Sequence, residues 1–96
     1  MTAYVIAQFN VTDCEGFEAY RRAAPSVIEA YGGRMLVRGD TITSVEGETD
    51  RPRMIVLEFP DKAAAERFYN SPEYQEIMPL RRDNSVGTVS IVESGL

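Results

Sequence analysis

The sequence predicts an α+β fold of order β-α-β-β-α-β, an antiparallel four-stranded sheet with two helices on one face. Three observations carry this. Tyr31-Gly32-Gly33-Arg34 is a helix stop followed at once by a strand, because glycine takes up the left-handed conformation that closes a helix at no steric cost. Ahead of that junction, Phe17, Tyr20, Ala24, Val27, Ile28 and Tyr31 recur at steps of three and four, the spacing of one helix face. Beyond it, Met54-Ile55-Val56-Leu57-Glu58-Phe59-Pro60 is an apolar run broken by proline. The resulting order is the split-βαβ, or ferredoxin-like, arrangement.

The elements follow in turn. Ala3 to Phe9 is rich in β-branched and aromatic residues and reads as the first strand. Thr12-Asp13-Cys14-Glu15 fits a capping box with Thr12 as cap, and Asp13 is the alternative. The helix then runs from Phe17 to Tyr31. Pro25 falls inside it, removes one hydrogen bond and predicts a kink rather than a break. The second strand starts at Arg34. Gly39-Asp40 interrupts it with a bulge or turn, and pairing resumes over Thr41 to Val45. Residues 46–52 are a polar, acidic connection, and Arg53 to Phe59 is the third strand. Asp61 caps a helix through Tyr69. Ser71-Pro72 restarts it, with serine as cap and proline in the first helical position. Tyr74, Ile77 and Met78 continue the apolar stripe, Pro79 loosens its end, and Val86 to Val92 is the fourth strand.

Composition excludes more than it suggests. The 96 residues read as one domain, 1–96, with 44% hydrophobic residues to form its core. A net charge of −5 argues against a binder of phosphate backbones. No apolar run is long enough to span a bilayer, so a cytoplasmic protein without membrane partners is expected. Cys14 is the single cysteine, and the chain has no histidine. Thiolate or imidazole metal sites of the zinc or haem type, and Ser-His or Cys-His nucleophile pairs, are therefore unavailable within one chain. No cofactor is expected, and chemistry falls to carboxylates, tyrosines, arginines, backbone groups or a reactive substrate.

Side chains of a strand alternate between faces. Val5, Ala7, Phe9, Ile55, Leu57, Phe59, Val89 and Ile91 form a wholly apolar set that belongs under the helices. Tyr4, Ile6, Gln8, Met54, Val56, Glu58, Thr88, Ser90 and Val92 form the other, joined by either Arg34, Leu36 and Arg38 or their alternates. That second face is too apolar to remain in water, and a patch of this kind marks an interface or a ligand groove. A homodimer through it is expected.

The same residues carry a family resemblance. Ala3-Tyr4-Val5-Ile6-Ala7, Tyr31-Gly32-Gly33-Arg34, Arg38-Gly39, Glu46-Gly47, Val56-Leu57-Glu58-Phe59-Pro60 and Tyr69-Asn70-Ser71-Pro72-Glu73-Tyr74 resemble, in order and over nearly the whole chain, the DUF1330 family. That family is similar to the dimeric α+β barrel superfamily, in which two ferredoxin-like units pair sheet to sheet. Its relatives include cofactor-free monooxygenases of antibiotic biosynthesis, muconolactone isomerase, EthD-like proteins and haem-binding chlorite dismutases. The resemblance implies a fold, a dimer and a pocket, and names no substrate. Without histidine the chain departs from the haem-binding branch, which is excluded.

Glu58 stands among large apolar residues, where desolvation raises a carboxylate toward the range of a general base. The plainer role is an ion pair with Arg34, Arg38 or Arg53, or a solvated edge. Arg38, ending the apolar part of the second strand, can fork onto a substrate carboxylate or enolate. Equally, it neutralises Glu58 or meets the partner chain. Gln8 and Tyr20 can aim hydrogen-bonding groups into a cleft, although such a tyrosine is more often packing with its hydroxyl at the rim. Tyr69 and Tyr74 read as core; Arg81-Arg82 can close over an anion but reads more simply as a solvated helix end; Cys14 reads as incidental, and Glu46, Glu48 and Asp50 as a solvated loop without metal-ligand spacing.

Two functions compete. One is a cofactor-free enzyme of isomerase or monooxygenase type acting on a small anionic or enolisable compound, with Glu58 as base, Arg38 as charge stabiliser, and Gln8 and Tyr20 bordering the same cavity. The other is a non-catalytic dimeric binding or stress-associated module. An RNA-binding domain of the same topology is disfavoured by the acidic charge and the lack of stacking aromatics on the central strands.

Overall fold

The computed structural model describes residues 1–49 and 51–96, so Asp50 of the acidic loop lies outside the described residues. The elements are β1 (Ala3–Val11), α1 (Cys14–Ala30), β2 (Arg34–Gly39), β3 (Arg53–Phe59), α2 (Lys62–Asn70), α3 (Pro72–Arg82) and β4 (Ser85–Glu93). The strands form one antiparallel sheet in the order β2-β3-β1-β4. The helices cover the face that carries Val5, Ala7, Phe9, Leu57 and Phe59, all buried against Phe17, Ala24, Ile28, Ala64, Ala65, Phe68 and Tyr74. No helix among the described residues is long and apolar enough to cross a membrane.

The second helix is divided at Ser71, which ends α2 and caps α3 in one extended residue (φ −65°, ψ 148°). Its buried hydroxyl donates to the Phe68 carbonyl at 2.8 Å and accepts from the Tyr74 amide at 3.1 Å, so a single side chain satisfies one helix end and one helix start. The break turns α3 across α1.

At the start of α1 the cap is Asp13, whose carboxylate accepts from the Gly16 amide at 3.2 Å. The Thr12 amide instead donates to the Asn84 carbonyl at 2.8 Å, joining the start of α1 to the entry of β4. At the other end the two glycines have separate tasks. Gly32 holds φ +82°, and the Gly32 and Gly33 amides donate to the Glu29 and Ile28 carbonyls at 3.0 and 2.9 Å. This is a Schellman closure. Gly33 is needed for space, since a Cβ there would lie 2.6 Å from Phe59 Cζ.

Tyr31, next to that closure, donates its hydroxyl to Glu73 Oε2 at 2.5 Å and ties the end of α1 to the first turn of α3. That hydrogen bond, helped by the backbone amide and Ser71, holds the Glu73 carboxyl below its ordinary pKa. A depressed carboxyl favours the fold above its unfolded-state pKa and loses that contribution as pH falls through the folded value. Tyr31→Phe should move the Glu73 titration, followed by NMR, upward toward the ordinary carboxylate range. An unmoved titration would show that the hydroxyl does not control this carboxyl.

Strand β2 departs from expectation in two ways. It stops at Gly39, and residues 41–45 form no strand. The register explains this: Gly39 faces Met54, so the next residue already meets the first residue of β3, and Thr41 onward has no partner strand. The irregularity is not at Gly39-Asp40 either. It lies between Met35 and Val37, where Met35 pairs with Leu57 and Val37 with the adjacent Val56. Leu36 is the extra residue of a β-bulge, and every side chain beyond it changes face.

Candidate functional site

The bulge decides what can share a site. Before it, Arg34 pairs with Glu58 on the face away from the helices, and its Nη2 donates to Glu58 Oε1 at 3.0 Å. After it, Arg38 pairs with Ile55 and belongs to the helix-covered side. Regular alternation would have placed Arg38 opposite Met54, on Glu58's face. The expected Arg38–Glu58 partnership is therefore corrected: Arg34 is the partner, and the pair is half exposed. Gln8 also lies on the open face, between Met54 and Thr88, with its amide donating to Thr49 Oγ1 at 3.4 Å. The four expected residues split two and two. Tyr20 and Arg38 line the space between helices and sheet, whereas Gln8 and Glu58 face away from it.

That space is a cavity of about 70 Å³ under α1 and α3. Its wall is apolar, with Val5, Ala7 and Phe9 from β1, Ile55 and Leu57 from β3, Val89 from β4, and Phe17, Ala24 and Ile28 from α1. Its inner polar group comes from three side chains. Tyr20 belongs to the α1 stripe. Tyr74 and Arg81 are seven residues apart on α3, hence on one face of that helix. The Arg81 Nε–H donates to Tyr74 Oη at 3.3 Å, and the Tyr74 and Tyr20 hydroxyls are 2.8 Å apart. Tyr74 is further held by Phe68, Tyr69 and Tyr20, with ring centroids at 4.6, 5.5 and 6.2 Å. Ser85 Oγ donates to the Arg81 carbonyl at 2.5 Å and anchors the end of α3.

The direction of this chain matters. An arginine has donors only, so Tyr74 accepts from it. Either hydroxyl can donate in the Tyr74–Tyr20 bond; in the arrangement in which Tyr74 donates, the Tyr20 O–H is left to donate into the cavity, two hydrogen bonds from the guanidinium. Burial above all, with the neighbouring Tyr74 oxygen, pushes the Tyr20 pKa far above that of an ordinary phenol. Tyr20 is therefore a neutral phenol at every physiological pH. Burial works against the Arg81 charge, but the tyrosine oxygens around it outweigh burial and raise its pKa. Arg81 is only 9% exposed. No carboxylate among the described residues approaches it within 4.0 Å. The reading of Arg81 as a solvated helix end is thus overturned; Arg82, one residue on, is the exposed one.

Tyr74 is buried as its sequence reading as core expected, but neither it nor Arg81 was assigned to the cavity. Their spacing of seven was visible, and a cation repeating on the apolar face of a helix was the signal for them. Among the described residues no group of three or more histidine, cysteine or carboxylate side chains gathers as a metal site.

The family described as a domain of unknown function, DUF1330, matches residues 2–95. The chain belongs to the DUF1330 family. No functionally curated protein matches it significantly. Among solved structures, this DUF1330 protein is similar to a protein of unknown function from Rhodopseudomonas palustris, with TM-score 0.73, 19% identity, and 95% of this chain and 78% of that one covered. It is similar to SnoaB, a cofactor-independent oxygenase from Streptomyces nogalater (TM-score 0.73, 14% identity, 99% and 94% covered). It is also similar to a dimeric ferredoxin-like protein of unknown function from Jannaschia sp. CCS1 (TM-score 0.65, 14% identity, 97% and 99% covered). At these identities the likeness establishes the ferredoxin-like α+β fold and nothing about reaction or ligand.

Proposed function

We propose that this DUF1330 protein binds a small, partly apolar enol or phenol in the cavity under α1 and α3, as a cofactor-free enzyme of oxygenase type. The observation that carries the reading is the Arg81–Tyr74–Tyr20 chain. It is a buried cation with no carboxylate within 4.0 Å among the described residues, linked through two phenols to the inner, otherwise apolar part of the cavity. Such an array stabilises negative charge on a ligand oxygen, and in a water-poor site that stabilisation is large. No carboxylate among the described residues lines the cavity, so the site suits a compound that reaches its anionic form easily and then reacts with oxygen itself. An isomerase using Glu58 as base finds no support in the placement of Glu58 beside Arg34. SnoaB, of the same fold, is a cofactor-independent oxygenase, which agrees with this choice.

The open face of the sheet suggests the assembly. Ile6, Met54, Val56 and Val37 adjoin there, with Leu36, Val37 and Val92 more than two-fifths exposed. We assign this face to a homodimer interface, as the apolar patch and the dimeric Jannaschia relative both favour. Glu58 and Gln8 then serve the interface. The non-catalytic binding module remains the second reading, with the same cavity and no turnover.

Phenol, titrated calorimetrically at neutral pH, is the first probe. Tyr20→Phe should weaken it about tenfold, the worth of a hydrogen bond to a partly charged acceptor. The variant itself should lose only about 1 kcal/mol of stability, since Tyr74 keeps its bond from Arg81. Wild-type stability should hold up to the ordinary tyrosine pKa and fall only as alkaline pH exceeds it, because the raised Tyr20 pKa disfavours the charged form in the fold. Equal phenol affinity in Tyr20→Phe would overturn the donor role. Oxygen uptake with an enolisable substrate separates enzyme from binding module.

A further inference from the structure

The cavity does not end at the tyrosines. Its exposed end runs into a groove of about 200 Å³ bordered by Arg21, Arg38, Gly39, Asp40 and Arg53. The three arginines border cavity and groove alike, so the two spaces are continuous. They come from α1, β2 and β3, and Arg38 reaches this side only because of the bulge at Leu36.

The charges there are not balanced. Arg21 meets Glu18 at 3.6 Å, an exposed pair that Glu18 shares with Arg22. Arg53 holds its guanidinium over the Phe17 ring, with Cζ 5.4 Å from the centroid, and also borders the groove. Neither Arg38 nor Arg53 has a carboxylate within 4.0 Å among the described residues. Among the described residues Asp40 is the single acid of the groove wall, and it accepts from the Thr41 hydroxyl at 3.4 Å. In a chain of net charge −5, three guanidinium groups from three elements around one opening make a local positive site. Forked donors of this kind match a carboxylate.

Volume sets the size of what binds. The cavity's 70 Å³ is about half of the ~150 Å³ that admits a benzene ring in a protein core. A ring-sized ligand with its oxygen at Tyr20 would therefore have to extend across the junction into the groove.

We propose that the groove of Arg21, Arg38 and Arg53 is an anion subsite, and that the ligand is bifunctional: an enol or phenol oxygen for the cavity and a carboxylate for the groove. The inference rests on the cavity reading above and names the substrate class for it. Tyr20 orients one end, and the arginines hold the other and select against neutral analogues.

The test compares phenol, benzoate, 4-hydroxybenzoate and inorganic phosphate by calorimetry on wild type, Arg38→Gln and Tyr20→Phe. In wild type, 4-hydroxybenzoate should bind about tenfold or more tightly than phenol, the gain expected from a charge-assisted contact. In Arg38→Gln that ratio should fall toward one, and Arg38→Lys should restore part of it. Arg38 is exposed at the sheet edge, so the variants should fold, and an unchanged circular dichroism spectrum checks it. Phosphate should bind weakly in all. If phenol binds but the carboxylate adds nothing, or adds as much in Arg38→Gln, the subsite is overturned and the cavity reading survives. If phosphate matches 4-hydroxybenzoate, the groove takes anions independently of the cavity and the bifunctional ligand is overturned. If neither phenol nor 4-hydroxybenzoate binds wild type, both readings fall together.

Discussion

Phe59→Ala is expected to lower the stability of this protein by about 3–5 kcal/mol, the range for a large aromatic removed from a core. Phe59 is fully buried. Its ring packs on Phe68 at 5.2 Å between centroids, and its tip meets the place where a Gly33 side chain would be. Both walls are rigid: one is a buried ring, the other the backbone of the α1 closure. A void there collapses little, which puts the cost toward the upper end of the range. For a domain of this size the total is about 5–14 kcal/mol, so the variant should be unfolded in a large fraction at moderate denaturant. Urea unfolding of wild type, Phe59→Leu and Phe59→Ala would measure it. A loss under 1 kcal/mol for alanine would mean that the sheet and α2 re-pack across the gap.

This core was legible because two periods agree on it. The three-and-four steps of α1 and the alternation of β1 and β3 both point to the covered face, and Phe17, Ala24, Ile28, Leu57 and Phe59 are buried there. The Tyr-Gly-Gly junction was legible in kind. It needed the structure to show that Gly32 supplies the dihedral angle and Gly33 the clearance. The candidate site was half legible. Tyr20 followed from the helix stripe. Arg38 borders the cavity without Glu58, its expected companion, because parity along β2 assumes an unbroken ladder and the bulge at Leu36 reverses it. Nothing in Met35-Leu36-Val37 announces a bulge: all three suit a regular strand. Arg81 was obscured by its neighbour. Arg81-Arg82 at a helix end resembles a solvated pair favoured by the helix dipole, and only the packing of α3 against α1 turns one of the two inward.

Val56→Asp should convert the protein to a monomer at micromolar concentration. Val56 lies in β3 on the open face, opposite Ile6 of β1 and Val37 of β2. In the isolated chain it is half-buried with one side toward water. An aspartate there costs the monomer only strand propensity and some packing, a span of ~1 kcal/mol. A two-fold interface counts every residue twice, so the dimer would bury two such carboxylates. Removing a partner from a buried pair, the nearest measured analogue of an unpaired buried charge, costs about 3–5 kcal/mol, and 3 kcal/mol alone weakens association more than a hundredfold. Glu58, two residues along β3 on the same face, is already committed to Arg34 at 3.0 Å, so it offers the new charge repulsion instead of a partner. Sedimentation velocity on wild type and Val56→Asp, with circular dichroism to confirm that both fold, separates the outcomes. A folded monomeric variant beside a dimeric wild type supports the sheet-face dimer. A wild type that sediments as a monomer, or a variant that remains dimeric, places the interface elsewhere and leaves the apolar open face to another role.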